Sequence, residues 1–441
     1  MNLKRLVALL AASGLALSVQ AADLMGIYRD ALASDPVYQA ARAQYQANVE
    51  KLPQARAGYL PFVSGSANAY RNYNERDGTD DLDYSTRGYS VSLSQPIFRL
   101  GNWIAISQAE KVMLQAEATL ATSGQDLIVR VAQAYFDVLL AQDNVALSDA
   151  QKRAISEQLA QAKRNFEVGT ATIVDTLEAQ ARYDQAVAKE VLDANDLEVK
   201  KRALQQLIGK VPEGLKPLGE KLDLQRPKPD NIEEWVTAAN DSSLAVAVAK
   251  AAYEIASQEI DRAKSGHYPT LDLNAVYNYN KTPASSLGEA FTGASVTSKN
   301  AQVGVVLSVP IFAGGGTQSR VREAIALRDR TQQDLENTQR TVAQAVRQNF
   351  LAVTNGIALV RALEQALAST QSQLESSILG RDVGVRTSVD VLNAQQQVFQ
   401  GRRDLQQARY AYLLNTLRLK AATGTLTEGD LEQVNRSLSR G

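Results

Sequence analysis

The chain carries the same pattern twice. Around Gly169 it reads Phe166-Glu167-Val168-Gly169-Thr170, then Val174-Asp175-Thr176-Leu177-Glu178-Ala179-Gln180. Around Gly384 it reads Arg381-Asp382-Val383-Gly384-Val385, then Val389-Asp390-Val391-Leu392-Asn393-Ala394-Gln395. Gly384 lies 215 positions after Gly169, and Asp390 lies 215 positions after Asp175. Farther upstream, Gln95-Pro96-Ile97-Phe98 returns as Val309-Pro310-Ile311-Phe312. A period this long exceeds the units of about 20–50 residues that build solenoids and propellers. It marks a duplicated half-protein, so whatever one half folds into, the chain must accommodate twice.

Each half reads as helix, β-hairpin, long helix and returning helix. Residues 23–57 predict a helix, with Pro36 near its first turns. Next comes a segment rich in Ser, Gly, Asn and Tyr, a polar loop at 75–83, and alternation of Tyr89, Val91 and Leu93 with Ser90, Ser92 and Ser94. A period of two is the mark of a strand, giving a hairpin over 59–97. In the second half Leu271, Leu273, Ala275, Tyr277 and Tyr279 alternate with polar residues, broken only by Val276. After a loop at about 282–298, Ala301, Val303, Val305, Leu307 and Val309 do the same, giving a hairpin over 268–310.

No Pro occurs between Pro96 and Pro212 or after Pro310. Within the first of these stretches, Leu127, Val131, Ala134, Val138, Ala141 and Val145 step by four and three, a heptad seam of small residues. A helix over residues 101–165 would be roughly 100 Å long at about 1.5 Å per residue. Its counterpart covers 315–379, and shorter helices return over 173–207 and 388–423. The resulting organisation is a signal peptide (1–21), a first repeat (22–208), a Pro- and Gly-rich linker or equatorial region (209–229), a second repeat (230–424) and a C-terminal equatorial segment (425–441).

The N-terminus directs the chain out of the cytoplasm. Lys4 and Arg5 precede an apolar run from Leu6 to Val19, and Val19-Gln20-Ala21 fits the small-residue cleavage pattern. No second apolar run looks long enough for a transmembrane helix. The chain has no Cys, which excludes disulfides, thiolate catalysis, Cys-bound metals and a lipidated N-terminus. With 47 basic and 48 acidic residues, it lacks the basic excess of a nucleic-acid binder. Aromatics are only 6% of the residues, which favours Ala- and Gln-rich helices with thin seams over a thick core.

Four strands with one apolar face can pack against helices or face lipid. The predicted helices are far too long to fold over so small a sheet. In lipid, however, open sheet edges are forbidden and the strands must close into a barrel. Known barrels begin at about eight strands. One chain supplies four, so the barrel must be shared by two or three chains. Tyr59, Tyr70, Tyr73, Phe98, Tyr268 and Phe312 fall near strand ends, as aromatic girdles do. Together with the export signal, this points to the outer membrane of a Gram-negative bacterium.

Catalytic chemistry is hard to find. The only His, His267, has no accompanying carboxylate and nucleophile. Gly314-Gly315-Gly316-Thr317 lacks the Lys and spacing of a phosphate loop and reads as a strand-to-helix junction. Nothing calls for a cofactor or a metal. Thr172 with Asp175, and Thr387 with Asp390, fit capping patterns at helix starts. Capping by itself accounts for both carboxylates. Where several chains converge, each would also join a ring, a common cation-attracting device in pores.

The duplicated halves, the Pro-Ile-Phe strand ends and the turn Val383-Gly384-Val385-Arg386-Thr387-Ser388-Val389-Asp390-Val391-Leu392 resemble the TolC family of outer-membrane efflux and secretion channels. The likeness covers about residues 22–430. It implies a mainly α chain with a membrane β part: a trimeric 12-stranded outer-membrane β-barrel, four strands per chain, continued by a long α-helical periplasmic barrel with a coiled-coil tip. It implies a passive exit duct for type I protein secretion or multidrug efflux. The expected partners are two further copies in a homotrimer, a periplasmic adaptor (membrane fusion protein), an inner-membrane ABC or RND-type transporter, and outer-membrane lipid, with no nucleic acid. Contact with adaptor and pump would open the periplasmic tip.

By position, the resemblance makes Asp390 the periplasmic entrance ring, Arg386 the residue that locks the tip, and Asp175 its acidic partner. Arg381 stands where the best-known member has a locking Tyr. Asn393 stands where that member has a second ring aspartate. These are altered gate positions, and the ring here should carry less negative charge. The competing reading is a periplasmic coiled-coil spacer or adhesin stalk, which would need no alternating strands; a soluble periplasmic enzyme lacks a catalytic set.

Overall fold

The structure is a computed structural model that describes residues 23–75, 82–212, 214–219, 222–282 and 296–438. The signal peptide expected over 1–21 lies outside the described residues, as do most of the two hairpin loops. In chain order the elements are α1 (Leu24–Ser34), α2 (Pro36–Val49), α3 (Lys51–Ala57), β1 (Phe62–Asn74), β2 (Leu82–Phe98), α4 (Leu100–Glu167) and α5 (Ile173–Ile208). There follow α6 (Ile232–Ser242), α7 (Leu244–Lys264), a short 3-10 turn (Ser265–His267), β3 (Thr270–Thr282), β4 (Val296–Ser308), α8 (Gly316–Asp382), α9 (Ser388–Ala422) and α10 (Glu428–Asn435). The duplication extends to element length: α4 and α8 have 68 and 67 residues, α5 and α9 have 36 and 35. The chain divides into two compact units, one built from Arg42–Leu120 with Ala245–Gln339, the other from the remaining segments.

In the first unit, the two hairpins form a single antiparallel sheet in the order β1-β2-β3-β4. The halves meet where β2 pairs with β3, with Tyr89 opposite Tyr279 and Leu93 opposite Ala275. Strand alternation sorts the side chains onto two faces. One face carries Val63, Val91, Leu93, Ala275, Tyr277, Val303 and Val305, and it is left open: Val303 is 77% exposed and Val63 60%. The other is a polar face of Ser, Thr and Asn. The Ser64 and Ser92 hydroxyls hydrogen-bond at 2.7 Å, those of Ser66 and Ser90 at 2.8 Å, and Asn72 donates to Thr86 at 3.2 Å. Asp272, at the helix end of this face, accepts two hydrogen bonds of 2.8 Å from Arg99 and is thereby neutralised. Gly88 is required by this packing, because the Asn280 amide and the Tyr279 carbonyl oxygen occupy the space a Cβ would fill.

An exposed apolar face and a hydrogen-bonded polar face invert the usual arrangement for water and suit a lipid-facing wall. The outer edges of β1 and β4 have no strand partner among the described residues. A spacer or stalk has no use for such a sheet, and that reading is not supported. Two aromatic positions, Tyr70 and Tyr59, differ from expectation. Tyr70 pairs with Thr86 and so lies on the polar face, where the strand period of two puts it. At the helix end Phe98, Tyr268 and Phe312 are exposed, whereas Tyr59 turns inward, packs on Trp103 with ring centroids 4.6 Å apart and donates to the Arg99 carbonyl. Gly314 and Gly315 take positive φ in the junction ahead of α8 and meet nothing, in keeping with a flexible strand-to-helix connection.

In the second unit, the α4 seam is buried as expected at Leu127, Val131, Val138 and Ala141. It is broader than a coiled-coil seam, because Ile128, Ala132, Tyr135, Phe136 and Leu139 are buried too. The extra burial comes from irregular chain laid over the helices. The Tyr135 hydroxyl donates to the Lys216 carbonyl at 2.9 Å, and Arg409 donates to the Gly219 carbonyl at 2.7 Å. Leu218 bridges Leu438, and the Tyr412 hydroxyl both accepts from and donates to the Gln225 backbone. Long-range sequence pairings of this kind leave no local period. The seam of α8 is cleaner: Val346, Phe350, Val353, Ile357 and Val360 step by four and three and are all buried. That helix also contains a stretch apolar and long enough to cross a membrane by length and composition, contrary to expectation. Only 22% of that stretch is buried within the chain, where this seam runs.

Asp35, 2% exposed, caps α2 through the Tyr38 amide and receives Arg130 Nη2 at 2.9 Å. The Arg130 guanidinium, helped by the backbone amides, holds its carboxyl below the usual range against the opposing effect of burial. Asp35→Ala therefore leaves a half-buried Arg130 without this partner and is expected to cost about 2–4 kcal/mol, seen as a lower unfolding temperature at neutral pH. A carboxyl with a lowered folded pKa stabilises fully above the unfolded value of about 3.9 and loses that contribution as pH falls through the folded value. The gap between wild type and variant should close only in that acidic window; equal melting at neutral pH would refute the assignment.

Candidate functional site

The predicted site residues gather at the two turns, α4–α5 and α8–α9, which share one backbone design. The α4 helix ends in a left-handed glycine, Gly169, at φ 76°. The amides of Thr170 and Ala171 then both donate to the Asn165 carbonyl, at 2.8 and 3.2 Å. In the second turn Gly384 has φ 81°, and the amides of Val385 and Arg386 both donate to the Gly380 carbonyl, at 2.8 and 3.1 Å. These bonds satisfy helix-terminal carbonyls that would otherwise lack partners.

Each returning helix starts with a capping box. Thr172 Oγ1 accepts from the Asp175 amide at 3.2 Å, and Asp175 Oδ2 accepts from the Thr172 amide at 3.0 Å and its hydroxyl at 2.7 Å. Thr387 and Asp390 repeat this at 3.2, 2.9 and 2.9 Å. The Asp175 carboxyl is held below the usual range by the Thr172 hydroxyl and then its amide. That of Asp390 is held down by the Thr387 amide, then its hydroxyl, and further by the charge of Arg386. Both carboxylates are partly exposed and stay ionised below the ordinary carboxylate range.

Among the positions at which the copies differ, one pair shapes the end of the turn. Where the first turn has Asn165 and Ala171, the second has Gly380 and Arg386. A Cβ on residue 380 would lie 2.7 Å from Arg386 Cγ, so the absent side chain makes room for the arginine stem to cross the helix end. Gly380 is a site residue that sequence reading passed over; its signal was a glycine inside a helical pattern, six residues before the arginine. Among the described residues, no hydrogen bond or ion pair joins Arg386 to Asp175 within one chain. Arg381 ties its own neighbourhood together, pairing with Asp382 at 2.8 Å and reaching Gln161 of α4 at 3.5 Å. The Asn393 carbonyl oxygen accepts from Arg182 of α5 at 3.1 Å, beside Gln396 at 3.2 Å.

Below the turns, Ile155, Ala186 and Leu392 form one small buried cluster and Leu159, Ala162 and Ala179 another, both against Tyr183. The turns themselves expose Val168, Val174 and Leu177 in the first copy, and Leu379, Val383 and Val385 in the second, with Val385 at 76%. Apolar side chains in this number on two adjoining tips mark a contact surface. Among the described residues there is no group of side chains suited to hold a metal ion.

Comparison with known proteins finds relatives along nearly the whole chain. The family model described as outer membrane efflux protein matches residues 27–210 and 235–425, the two repeats in turn. The chain is similar to the outer membrane protein TolC of Vibrio cholerae, 35% identical over 426 residues, covering 96% of this chain and 95% of that protein. It is also similar to the alkaline protease secretion protein AprF of Pseudomonas aeruginosa, 31% identical over 453 residues, covering 98% and 92%. Among solved structures, the Campylobacter jejuni CmeC outer membrane channel aligns with a TM-score of 0.79 at 15% identity, over 95% of this chain and 90% of that one.

Gly384 and Gly169 each hold a conformation that costs an ordinary residue about 1–2 kcal/mol. Gly384→Ala should therefore raise amide exchange at Val385 and Arg386 by about fivefold to thirtyfold, read by hydrogen-exchange mass spectrometry, while the α9 interior exchanges as before. Unchanged exchange at those two amides would show that the turn does not depend on the left-handed residue.

Proposed function

The chain belongs to the TolC family of outer membrane efflux proteins, and from that membership we propose how its own residues serve an outer-membrane channel. It is located in the outer membrane and provides a route out of the cell for secretion and efflux. The relatives are channel proteins rather than enzymes. What supports the details is one observation above all: a four-stranded sheet, apolar and exposed on one face, polar on the other, with two unpaired edges.

In our reading three copies close this sheet, the free edge of β4 in one copy pairing with β1 of the next. Twelve strands then surround a polar lumen lined by Ser64, Ser92, Asn274 and Asn278. Two sheets would reach the smallest barrels of about eight strands, whose interiors side chains fill; three leave a passage. The helical segments continue the duct on the periplasmic side, with the α4–α5 and α8–α9 turns at its entrance. The exposed valines and leucines of those turns support contacts with neighbouring copies and with a periplasmic adaptor that delivers substrate from an inner-membrane transporter.

Asp390, repeated around the threefold axis, forms the entrance ring. Arg386 of one copy meets Asp175 of a neighbour and locks the closed tip. This pairing is attractive because Arg386 has no ion-pair partner among the described residues of its own chain. Arg381 and Asn393 are already engaged within the chain, with Asp382, Gln161 and Arg182, so they brace the hairpins, and the ring carries the charge of Asp390 alone.

The full-length protein should extract from membranes as a trimer that conducts in planar bilayers; a monomer that remains soluble without detergent would overturn the reading. Arg386→Ser and Asp175→Ala should each increase conductance, whereas unchanged conductance in both would remove the lock. Asp390→Asn should weaken block by multivalent cations severalfold. Because the cap keeps Asp390 ionised, wild-type block should hold steady from neutral pH down to the ordinary carboxylate value of about 3.9 and fade only below it. Block that fades nearer neutrality would place the ring elsewhere.

A further inference from the structure

The outward face of the sheet changes character at its loop end. Moving from the helices toward the loops, successive levels of this face read Leu271 with Leu307, then Leu273 with Val305, Ala275 with Val303 and Leu93, and Tyr277 with Val91. The next two levels contain Tyr89 with Tyr279 and Lys299, then Arg87 with Lys281. Arg71 follows on β1, paired with Asp83 at 2.6 Å. Arg87, Lys281 and Lys299 are exposed and make no hydrogen bond or ion pair among the described residues. Three uncompensated cations therefore lie side by side on the face that carries the apolar band.

Their height is informative. Leu271 and Lys281 are ten residues apart on β3, which at about 3.4 Å per residue is about 34 Å along the strand. At a strand tilt of about 40° this projects to about 26 Å, close to the roughly 25 Å band of outer-membrane barrels. The cations thus fall where the hydrocarbon ends, on the side away from the helices. Level with Lys299 and just beneath Arg87 and Lys281, Tyr89 stacks on Tyr279 with ring centroids 5.0 Å apart, as interfacial aromatics do. A lone cation at a lipid boundary can snorkel to water. Three on adjacent strands, set around a tyrosine pair, instead match a ligand with several negative charges and acyl chains.

We infer that Arg87, Lys281 and Lys299 form a binding site on the barrel's outward face for the phosphate groups of a phosphorylated glycolipid in the outer leaflet, with Tyr89 and Tyr279 flanking its acyl chains. Arg and Lys on adjacent strands can each donate charge-assisted hydrogen bonds to phosphate oxygens. The cation triad sits entirely within one chain, so every protomer carries a complete site. The inference rests on the sheet being the membrane wall of the closed barrel proposed above.

The test uses the full-length protein in nanodiscs of phosphatidylethanolamine with a minor fraction of bisphosphorylated lipid A, its dephosphorylated form, or phosphatidylglycerol. Lipid retained through a detergent wash is counted by native mass spectrometry. Wild type should retain the phosphorylated lipid A severalfold over both other lipids. R87Q/K281Q/K299Q should lower that retention to the dephosphorylated level while conducting normally. Equal retention of phosphorylated and dephosphorylated lipid A by wild type overturns the site whether or not the variant inserts. Equal retention of phosphatidylglycerol overturns the assignment to a phosphorylated glycolipid. Wild type that fails to conduct at all instead overturns the barrel reading, which separates the two failures.

Discussion

A strand edge in hydrocarbon is the constraint on which the rest of this molecule depends. Each unpaired backbone group there costs several kcal/mol because no water can replace the missing partner. One chain leaves two such edges, along β1 and β4. A soluble protein can blunt an edge with charge, proline or a covering loop; a membrane sheet can only close. Closure in turn requires identical copies whose strands meet in register. The pairing of β2 with β3 already joins the two halves of one chain by the kind of contact that closure would have to repeat between chains.

The duplication supplies the parts but cannot by itself make a gate, because equivalent turns close equivalently. The gate proposed above has to come from places where the copies differ. Backbone, left-handed glycine and capping box are alike in both turns. Among the differences are Asn165 and Ala171 against Gly380 and Arg386, where the loss of one side chain creates the space that the other fills. A cation is thereby added at one of the two turns of each chain without disturbing the hydrogen bonds that build the turn.

Much of this was readable in the sequence because it depends on local periodicity. The strands announced themselves by alternation, with serines against apolar residues on β2. The long helices followed from the absence of proline, and the turns from glycine followed by Thr-x-x-Asp. Three things were not readable. The linker's contacts with α4 and α9, through Lys216 and Gly219, are irregular pairings between distant segments and leave no period. The inward place of Tyr70 follows from strand register, which a one-residue shift would reverse. The space for Arg386 depends on a helical glycine whose importance appears only once the chain has turned back over it. For the same reason the seam of α4 looked narrow: sequence shows which residues could pack on a helix, and only the fold shows that a second layer covers them.

Capping and charge at the tip are usually treated as alternative roles for a carboxylate, yet in the reading proposed above one geometry produces both. The Thr387 amide and hydroxyl that Asp390 must bind to start α9 are the groups that stabilise its negative charge. An entrance carboxylate without such partners, set in a ring of like charges, would be driven toward protonation by its neighbours. The capping box offsets that repulsion from within each chain. It follows that removing Asp390 confounds the two roles, because the helix start and the ring charge are lost together. Altering Thr387 separates them: the carboxylate remains at the entrance while its support is withdrawn, so any change in its titration reports the contribution of the cap to the ring.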